Sequence, residues 1–504
     1  MLGSPLAKVP MRNRFRNLVP LVDYLGALLW TSGLILFVPL VVLGLYAHAG
    51  YREVSPLSFV VPALFALALG FGLKRRGGFR PLDSRGAMLL CVFGWVIVSA
   101  IGALPLYMGL RISYLDAFFE AVSGFTTTGI TMLSGLDRMP RSILFWRALM
   151  QWLGGLGILA FFLAVVHNVG SAHHLFSAES HKIFAERPAP SLFRTLKILW
   201  TIYAVLTLGV AALLAVEGAS VFDAVAHAMT ALSTGGYSPH DASIGYYRLN
   251  GYPHAVWIEY TILLAMVLGG MNFFIHYRIA TGGIQALWDN AETRLFWVFL
   301  AGGTALVMLD HCSRPGPPDG ADTFRDSAFQ VVSVMTTTGF ATRDIGGDYF
   351  PALARQVFLV LMVIGGCVGS TGGGFKVLRI GVLFGMVRRQ VQRVIQGRTS
   401  VNLVTVDGEP VGLEEMRRIA ALFFAWIMLL AIGGAVTAFF SDHGPVESAS
   451  GMFSALGNVG PCYISAADLT ALHPAVKITY IAGMLAGRLE ILPVLLLFSR
   501  RTWR

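Results

Sequence analysis

The chain has 504 residues, 55% of them hydrophobic and only 13% charged, with a mean hydropathy of +0.66 and a formal net charge of +10. A soluble domain carries about 25% charged residues, so this composition excludes an ordinary soluble fold and points to a polytopic membrane protein. The four cysteines, Cys91, Cys312, Cys367 and Cys462, are scattered without Cys-x-x-Cys or Cys/His spacing, so they offer no metal motif.

A spanning helix needs about 20 mostly apolar residues. Such runs predict ten spans, near 24–48, 57–74, 86–108, 142–166, 194–217, 254–278, 295–310, 355–387, 415–440 and 474–499. The first follows a basic, mostly polar segment with no small-residue cleavage site, which reads as a retained helix rather than a signal peptide. Ten spans put both termini on one side. That side collects Lys8, Arg12, Arg14, Arg16, Lys74, Arg75, Arg76, Lys182, Arg187, Arg388, Arg389, Arg393 and the C-terminal Arg500, Arg501 and Arg504. Excess lysine and arginine marks cytoplasmic loops, so both termini are expected in the cytoplasm. The same bias explains the basic pI without a nucleic-acid partner. His173 and His174 fall in a polar loop and read as solvated.

Four half-length apolar segments lie on the other side: "LDAFFEAVSGFTTTGIT", "FDAVAHAMTALSTGGYS", "RDSAFQVVSVMTTTGFAT" and "VESASGMFSALGNVGPC". Each starts at an acid (Asp116, Asp223, Asp326, Glu447) and reaches a glycine thirteen residues later (Gly129, Gly236, Gly339, Gly460). An acid suits a helix N-terminus. About ten helical residues reach only roughly 15 Å, so such a helix enters a bilayer without crossing it. The expected fold is an all-α polytopic membrane protein with four span–pore-helix–span repeats around a central pore, preceded by an N-terminal two-helix hairpin. The expected divisions are 1–78 (cytoplasmic N-terminus and hairpin), 79–170, 171–285, 286–398 and 399–504, one repeat in each of the last four. Non-helical backbone at membrane depth is tolerated where it lines a cavity, and rings of backbone carbonyls can replace a cation's hydration shell. The blander alternative is that Thr and Gly merely cap helix ends, but caps do not explain the fourfold spacing.

These motifs resemble the Trk/Ktr/HKT superfamily of potassium transporters, and its TrkH branch most closely. The resemblance rests on "STGGYSPHDASIGYY", "GNVG", "GGCVGSTGGGFKVLR" and "AGRLEILPVLLLF" together with the N-terminal hairpin, and it covers nearly the whole chain. It implies potassium uptake at the bacterial plasma (inner) membrane through a channel-like pore. It implies a homodimer with one pore per protomer, controlled by a TrkA-like cytosolic nucleotide-binding ring. K+ is then the transported ion, no covalent cofactor is expected, and any nucleotide belongs to the partner. The ion-binding filter would comprise Thr127, Thr128, Gly129, Thr234, Gly235, Gly236, Thr337, Thr338, Gly339, Asn458, Val459 and Gly460. In plant HKT relatives a serine at the first filter glycine goes with sodium transport, so glycine at all four positions favours potassium. The second loop reads Ser-Thr-Gly-Gly and the fourth Gly-Asn-Val-Gly, so the ring is not fourfold in side chains.

The run "GGCVGSTGGG" at 365–374 lies within the eighth expected span. Each glycine costs a helix about 1 kcal/mol relative to alanine, so the helix should unwind there. Small-residue helix packing is the alternative. The resemblance makes Gly369, Ser370, Thr371, Gly372, Gly373, Gly374 and Lys376 a gate loop, with Arg488 beside it as a fixed positive charge. An arginine at depth needs a cavity or a partner. Glu490 is the alternative partner, although residues two apart on a helix do not face each other. Asp137, Asp241, Asp344 and Asp468 are expected at the outer mouth, where negative charge gathers cations, or else as helix N-caps. Arg147 and Gln151, one turn apart, read as buried packing. The basic stretch "MVRRQVQRVIQGR" at 386–398 reads as a partner-docking segment or a headgroup anchor. A sodium- or proton-coupled secondary transporter is the competing function. Such proteins carry midplane acids and often inverted repeats, whereas here Glu490 is almost the only acid expected at depth and the repeats run parallel. No enzyme motif is present.

Overall fold

The apolar runs fold as helices in a computed structural model, which describes residues 19–74, 82–157, 192–313, 320–396 and 403–499. Expectations for His173 and His174, for the end of the fourth span, for Arg398 and for the basic termini lie outside these residues.

Five helices among the described residues are long and apolar enough to cross a membrane: Pro20–His48, Arg85–Leu110, Arg194–Val216, Ala291–Cys312 and Leu413–Phe440. A bent pair, Ala255–Gly270 and Phe273–Ala280, adds a sixth with a 103° bend. The ten expected spans are therefore not ten continuous helices. Leu57–Leu73 is a shorter apolar helix. It packs on Val19–Ile35 through glycine: a Cβ on Gly70 would lie 2.6 Å from the Gly26 carbonyl oxygen. Small residues let helix backbones approach in this way.

The remaining expected spans break for local reasons. The helix Arg141–Gly155 ends before Gly157, whose φ is +87°. Ala255–Gly270 gives way at Asn272, whose side chain caps the next helix by accepting the Phe274 N–H. Ala352–Ile364 stops at Gly365, and the chain is helical again only from Val377, so the glycine run does leave the helix. Pro474–Arg488 stops before Glu490 and Ile491, which have positive φ, and Pro493 opens the short helix Leu492–Phe498. Three of these four helices cross the end of a half-length helix with almost no space between. A Cβ on Gly154 or Gly487 would overlap the carbonyl oxygen of Phe125 or Leu456, and one on Gly269 would lie 2.8 Å from that of Leu232.

The half-length segments are the helices Tyr114–Phe125, Val221–Leu232, Gly320–Met335 and Pro445–Gly457, here called pore helices 1 to 4. At 12 to 16 residues they span roughly 18 to 24 Å, less than the ~30 Å hydrocarbon core. Asp116, Asp223 and Glu447 sit in first turns as expected. Asp326 does not. Pore helix 3 begins at Gly320 with Asp322 in its first turn, and Asp326 is a buried mid-helix carboxylate. Asp326 accepts from Arg248 (2.8 Å), Arg343 (3.2 Å) and Thr342 (3.0 Å), so arginines rather than a helix dipole stabilise it.

The expectation that Glu490 is almost the only acid at depth also fails. Glu120 and Glu259 are buried within apolar helices. Arg147 approaches Glu120 at 2.8 Å, and Arg248 and Arg325 each approach Glu259 at 2.7 Å. A buried carboxylate without such partners would be strongly unfavourable. A small antiparallel hairpin, Thr405–Val406 with Glu409–Pro410, lies in sequence between the helices Val377–Gln396 and Leu413–Phe440. Its turn is Asp407–Gly408, both at positive φ (+50° and +87°), the geometry that an Asp-Gly hairpin turn adopts readily.

Candidate functional site

Each pore helix ends in the same way. The residue after its last turn takes left-handed φ: Thr127 at +54°, Thr234 at +51°, Thr337 at +59° and Asn458 at +53°. In the first, the Thr127 N–H bonds back to the Gly124 carbonyl (3.0 Å) and the Thr128 N–H to that of Ser123 (2.9 Å). This is a Schellman closure, so threonine or asparagine makes the cap. The glycine comes two residues later and has a different task.

Gly129, Gly236, Gly339 and Gly460 all have positive φ, at +87°, +74°, +87° and +107°. A Cβ on Gly129 would overlap the Gly235 carbonyl oxygen; one on Gly236, that of Thr338; one on Gly339, that of Val459. One on Gly460 would lie 2.9 Å from the carbonyl oxygen of Thr128. Each glycine thus abuts the carbonyl of the next loop in chain order, and the fourth closes on the first. The structure brings all twelve expected filter residues together around this ring. Asn458 adds a cross-link, its Nδ2 donating to Thr128 Oγ1 at 2.9 Å and to the Met484 carbonyl at 3.0 Å.

Residues 365–376 lie against the pore-helix C-terminal side of this ring. Thr371 Oγ1 donates to the carbonyls of Leu232 (2.9 Å) and Gly269 (3.0 Å), and Thr234 Oγ1 reaches Thr371 Oγ1 at 3.2 Å. The Gly373 N–H donates to Thr337 Oγ1 at 2.6 Å, and a Cβ on Gly373 would lie 2.5 Å from the Gly457 carbonyl oxygen. Lys376 turns back to the Gly372 carbonyl. Arg488 completes the enclosure by donating to the carbonyls of Thr371 (2.7 Å), Gly154 (2.6 Å) and Gly155 (2.7 Å). Glu490, the alternative partner, pairs with Arg379 at 2.6 Å. The loop therefore contacts the ends of the second, third and fourth half-length helices, and Arg488 links it to Gly154 and Gly155.

Arg147 and Gln151 are buried as expected, yet they do more than pack. Gln151 Nε2 donates to the Gly235 carbonyl (2.6 Å), and its Oε1 accepts the Tyr237 N–H (2.9 Å). Arg147 lies over the Tyr237 ring at 4.0 Å and donates to the Ser238 carbonyl at 3.2 Å. One turn of the helix Arg141–Gly155 thus grips the loop at Gly235 to Ser238. The sequence signal was a polar pair in an apolar helix, but its partners in the loop at Gly235 to Ser238 lie more than 80 residues away.

The four acids expected at the mouth are all exposed, in the segments that follow the ring. Asp241 accepts the Gly135 N–H at 2.9 Å, and Asp344 the Gly346 N–H at 2.9 Å. Asp468 stands in the first turn of Ala466–Ala471, whose cap is Ser465. Asp137 pairs with His240 Nδ1 at 2.6 Å, while His240 Nε2 lies 3.4 Å from Asp223 and the ring stacks on Tyr246. Burial opposes charging of His240, but Asp223 and Asp137 outweigh it and raise its pKa above the usual 6.5. For Asp137, burial favours the neutral acid, but bonding to His240 and the Asp241 amide lowers its pKa below the usual 3.8. The sign follows by linkage. The histidine's contribution is complete below pH 6.5 and is lost as pH rises through its raised value. The aspartate's is present above 3.8 and lost as pH falls through its lowered value. The His240→Gln variant should therefore melt below the wild type at pH 6 and close to it at pH 9. A melting-temperature gap that does not shrink between those pH values would show that the pair is not the cause.

Residues 59–503 match the TrkH family, described as cation transport protein. The Trk system potassium uptake protein TrkH of Escherichia coli K12 is 32% identical over 470 residues, covering 90% of this chain and 94% of that protein. An uncharacterized cation transporter of Methanocaldococcus jannaschii is 32% identical over 487 residues, covering 96% of each chain. The crystal structure of the potassium transporter TrkH from Vibrio parahaemolyticus superposes with a TM-score of 0.82 at 30% identity, covering 96% of this chain and 99% of that one. With its membrane-crossing helices and a match across most of its length, the chain belongs to the TrkH family of cation transport proteins.

Proposed function

We propose that this protein takes up potassium across the bacterial plasma membrane through a channel-like pore. The observation that carries the proposal is the ring of four positive-φ glycines, each against the carbonyl oxygen of the next loop. Backbone carbonyls presented by Thr128, Gly235, Thr338 and Val459 replace water around a dehydrated K+, and the ring residues are uncharged, as a carbonyl filter requires. The names of the relatives support potassium as the ion. Asp137, Asp241, Asp344 and Asp468 concentrate cations at the outer mouth. Residues 369–374, Lys376 and Arg488 form the gate. Both termini are cytoplasmic, and the protein works as a homodimer.

Purified protein in liposomes loaded with K+ tests this reading. Efflux should follow the K+ gradient alone, with no sodium or pH gradient imposed. Flux that stops without a proton or sodium gradient would shift the assignment to a coupled secondary transporter. The buried acids argue against coupling, because Glu120, Glu259 and Asp326 are already engaged by arginines.

The helix Val377–Gln396 leaves the gate loop and carries Arg388 and Arg393 exposed, with Val394 and Ile395 also exposed. It is the proposed dock for a TrkA-like nucleotide-binding ring. Neutralising Arg388, Arg389 and Arg393 together should weaken association with that ring by about tenfold, since rim charges contribute to both encounter and affinity. Capture of the ring at wild-type yield would remove this helix from the interface.

A further inference from the structure

The gate loop is held from the filter side by threonine and from the centre by Arg488. A third attachment comes from the opposite edge. Glu292 stands in the first turn of Ala291–Cys312, is only 8% exposed, and accepts the Val368 N–H at 2.7 Å through Oε1. Val368 precedes Gly369, where the loop turns at φ +74°. The loop's entry is thus fixed to the start of a different helix, far from it in sequence.

That helix start is itself tied down. The Ala291 N–H donates to Asp407 Oδ1 at 2.7 Å, and Arg294 lies 3.8 Å from the same oxygen. Asp407 is the turn of the small hairpin. The hairpin also leans on the helix that leaves the loop: a Cβ on Gly385 would lie 2.9 Å from Val404. Gly381 of that helix packs on Leu295 in turn, with its Cβ position 2.7 Å from the leucine. A closed circuit results: loop entry, Glu292, the helix start, Asp407, the hairpin, the outgoing helix, and back to the loop exit.

We propose that Glu292 is a positioning residue that latches the entry of the gate loop, and that the Asp407 turn is the handle through which movement of the outgoing helix releases it. The proposal rests on the gate reading given above. A latch needs an acceptor for the Val368 N–H, not a charge. Glu292→Gln keeps an acceptor oxygen at the same reach, whereas Glu292→Ala removes it and leaves a buried amide without its partner. In the full-length protein without a regulator, Glu292→Ala should raise K+ flux by about tenfold, the scale of one lost buried hydrogen bond. Glu292→Gln should stay within about twofold of wild type. The K+/Na+ permeability ratio should not change in either, because neither touches the ring.

A deletion within residues 369–374 serves as the reference. If the deletion opens the pore and Glu292→Ala stays as closed as wild type, the latch is wrong and the gate stands. If the deletion does not open it, the gate reading itself falls. Asp407 is in an exposed turn, so Asp407→Ala keeps the test alive if Glu292→Ala fails to fold. In that variant amide exchange at Val368 should quicken several-fold, and an unchanged rate would overturn the handle.

Discussion

Replacing Gly129 with serine is expected to lower the K+/Na+ permeability ratio by at least about tenfold, equivalent to about 1.4 kcal/mol of discrimination. Two effects combine. The glycine holds φ at +87°, which L side chains rarely adopt, and its Cβ position overlaps the Gly235 carbonyl oxygen. Serine therefore pushes away one of the oxygens that would face the ion. The left-handed backbone alone would cost about 1 to 2 kcal/mol, so a control must separate strain from ring geometry. Gly135 supplies it: φ is +75°, with no atom within 4 Å of its Cβ position. Gly135→Ala should lower stability modestly and leave the ratio intact. Reversal potentials in planar bilayers under bi-ionic conditions read both. A ratio in Gly129→Ser equal to wild type would take Gly129 out of the filter.

Removing part of residues 369–374 should raise regulator-free flux by on the order of a hundredfold, with selectivity unchanged. The loop is held by bonds from Thr371 and Gly373 and by three carbonyls gathered on Arg488. Arg488→Ala removes only the last set. Bonds to a charged group are worth roughly 1.5–3 kcal/mol each, but the remaining threonine contacts still hold the loop, so a rise of about tenfold is expected. Arg488→Lys should fall between, because an ammonium cannot present a planar fork to three carbonyls. Single-channel open probability distinguishes these from a change in conductance. A deletion protein that folds and remains shut would make the loop a packing feature.

How much of this could be read from residues alone depended on sequence distance. The half-length helices and their glycines were legible because one spacing, acid to glycine, recurs within thirteen residues each time. The break at Gly365 was legible because six glycines in ten residues outweigh any helix propensity. The break after Gly155 was not, since apolar composition continues through it and only backbone angle gives it away. Asp326 misled because its spacing matched while its helix started six residues early, and the arginines that hold it come from other parts of the chain. Gln151 gave a weaker signal still. A lone amide in an apolar helix announces a polar partner without naming it, and the partner is the Gly235 carbonyl, 84 residues away. The hairpin at Asp407 carried the Asp-Gly signature of a tight turn but lay outside any expected span.

All four quarters of the ring come from one chain, and they are not alike: three carry threonine at the left-handed position and the fourth carries Asn458. A pore assembled from identical subunits receives every substitution in quadruplicate. A change costing about 1 kcal/mol per site would then cost about 4, if the sites acted independently. Here the same change is administered once. Each loop can drift in a small dose while three unaltered neighbours hold the geometry, and Asn458 is a place where one quarter has already departed. It bonds sideways to Thr128, where a threonine would have only a hydroxyl to offer.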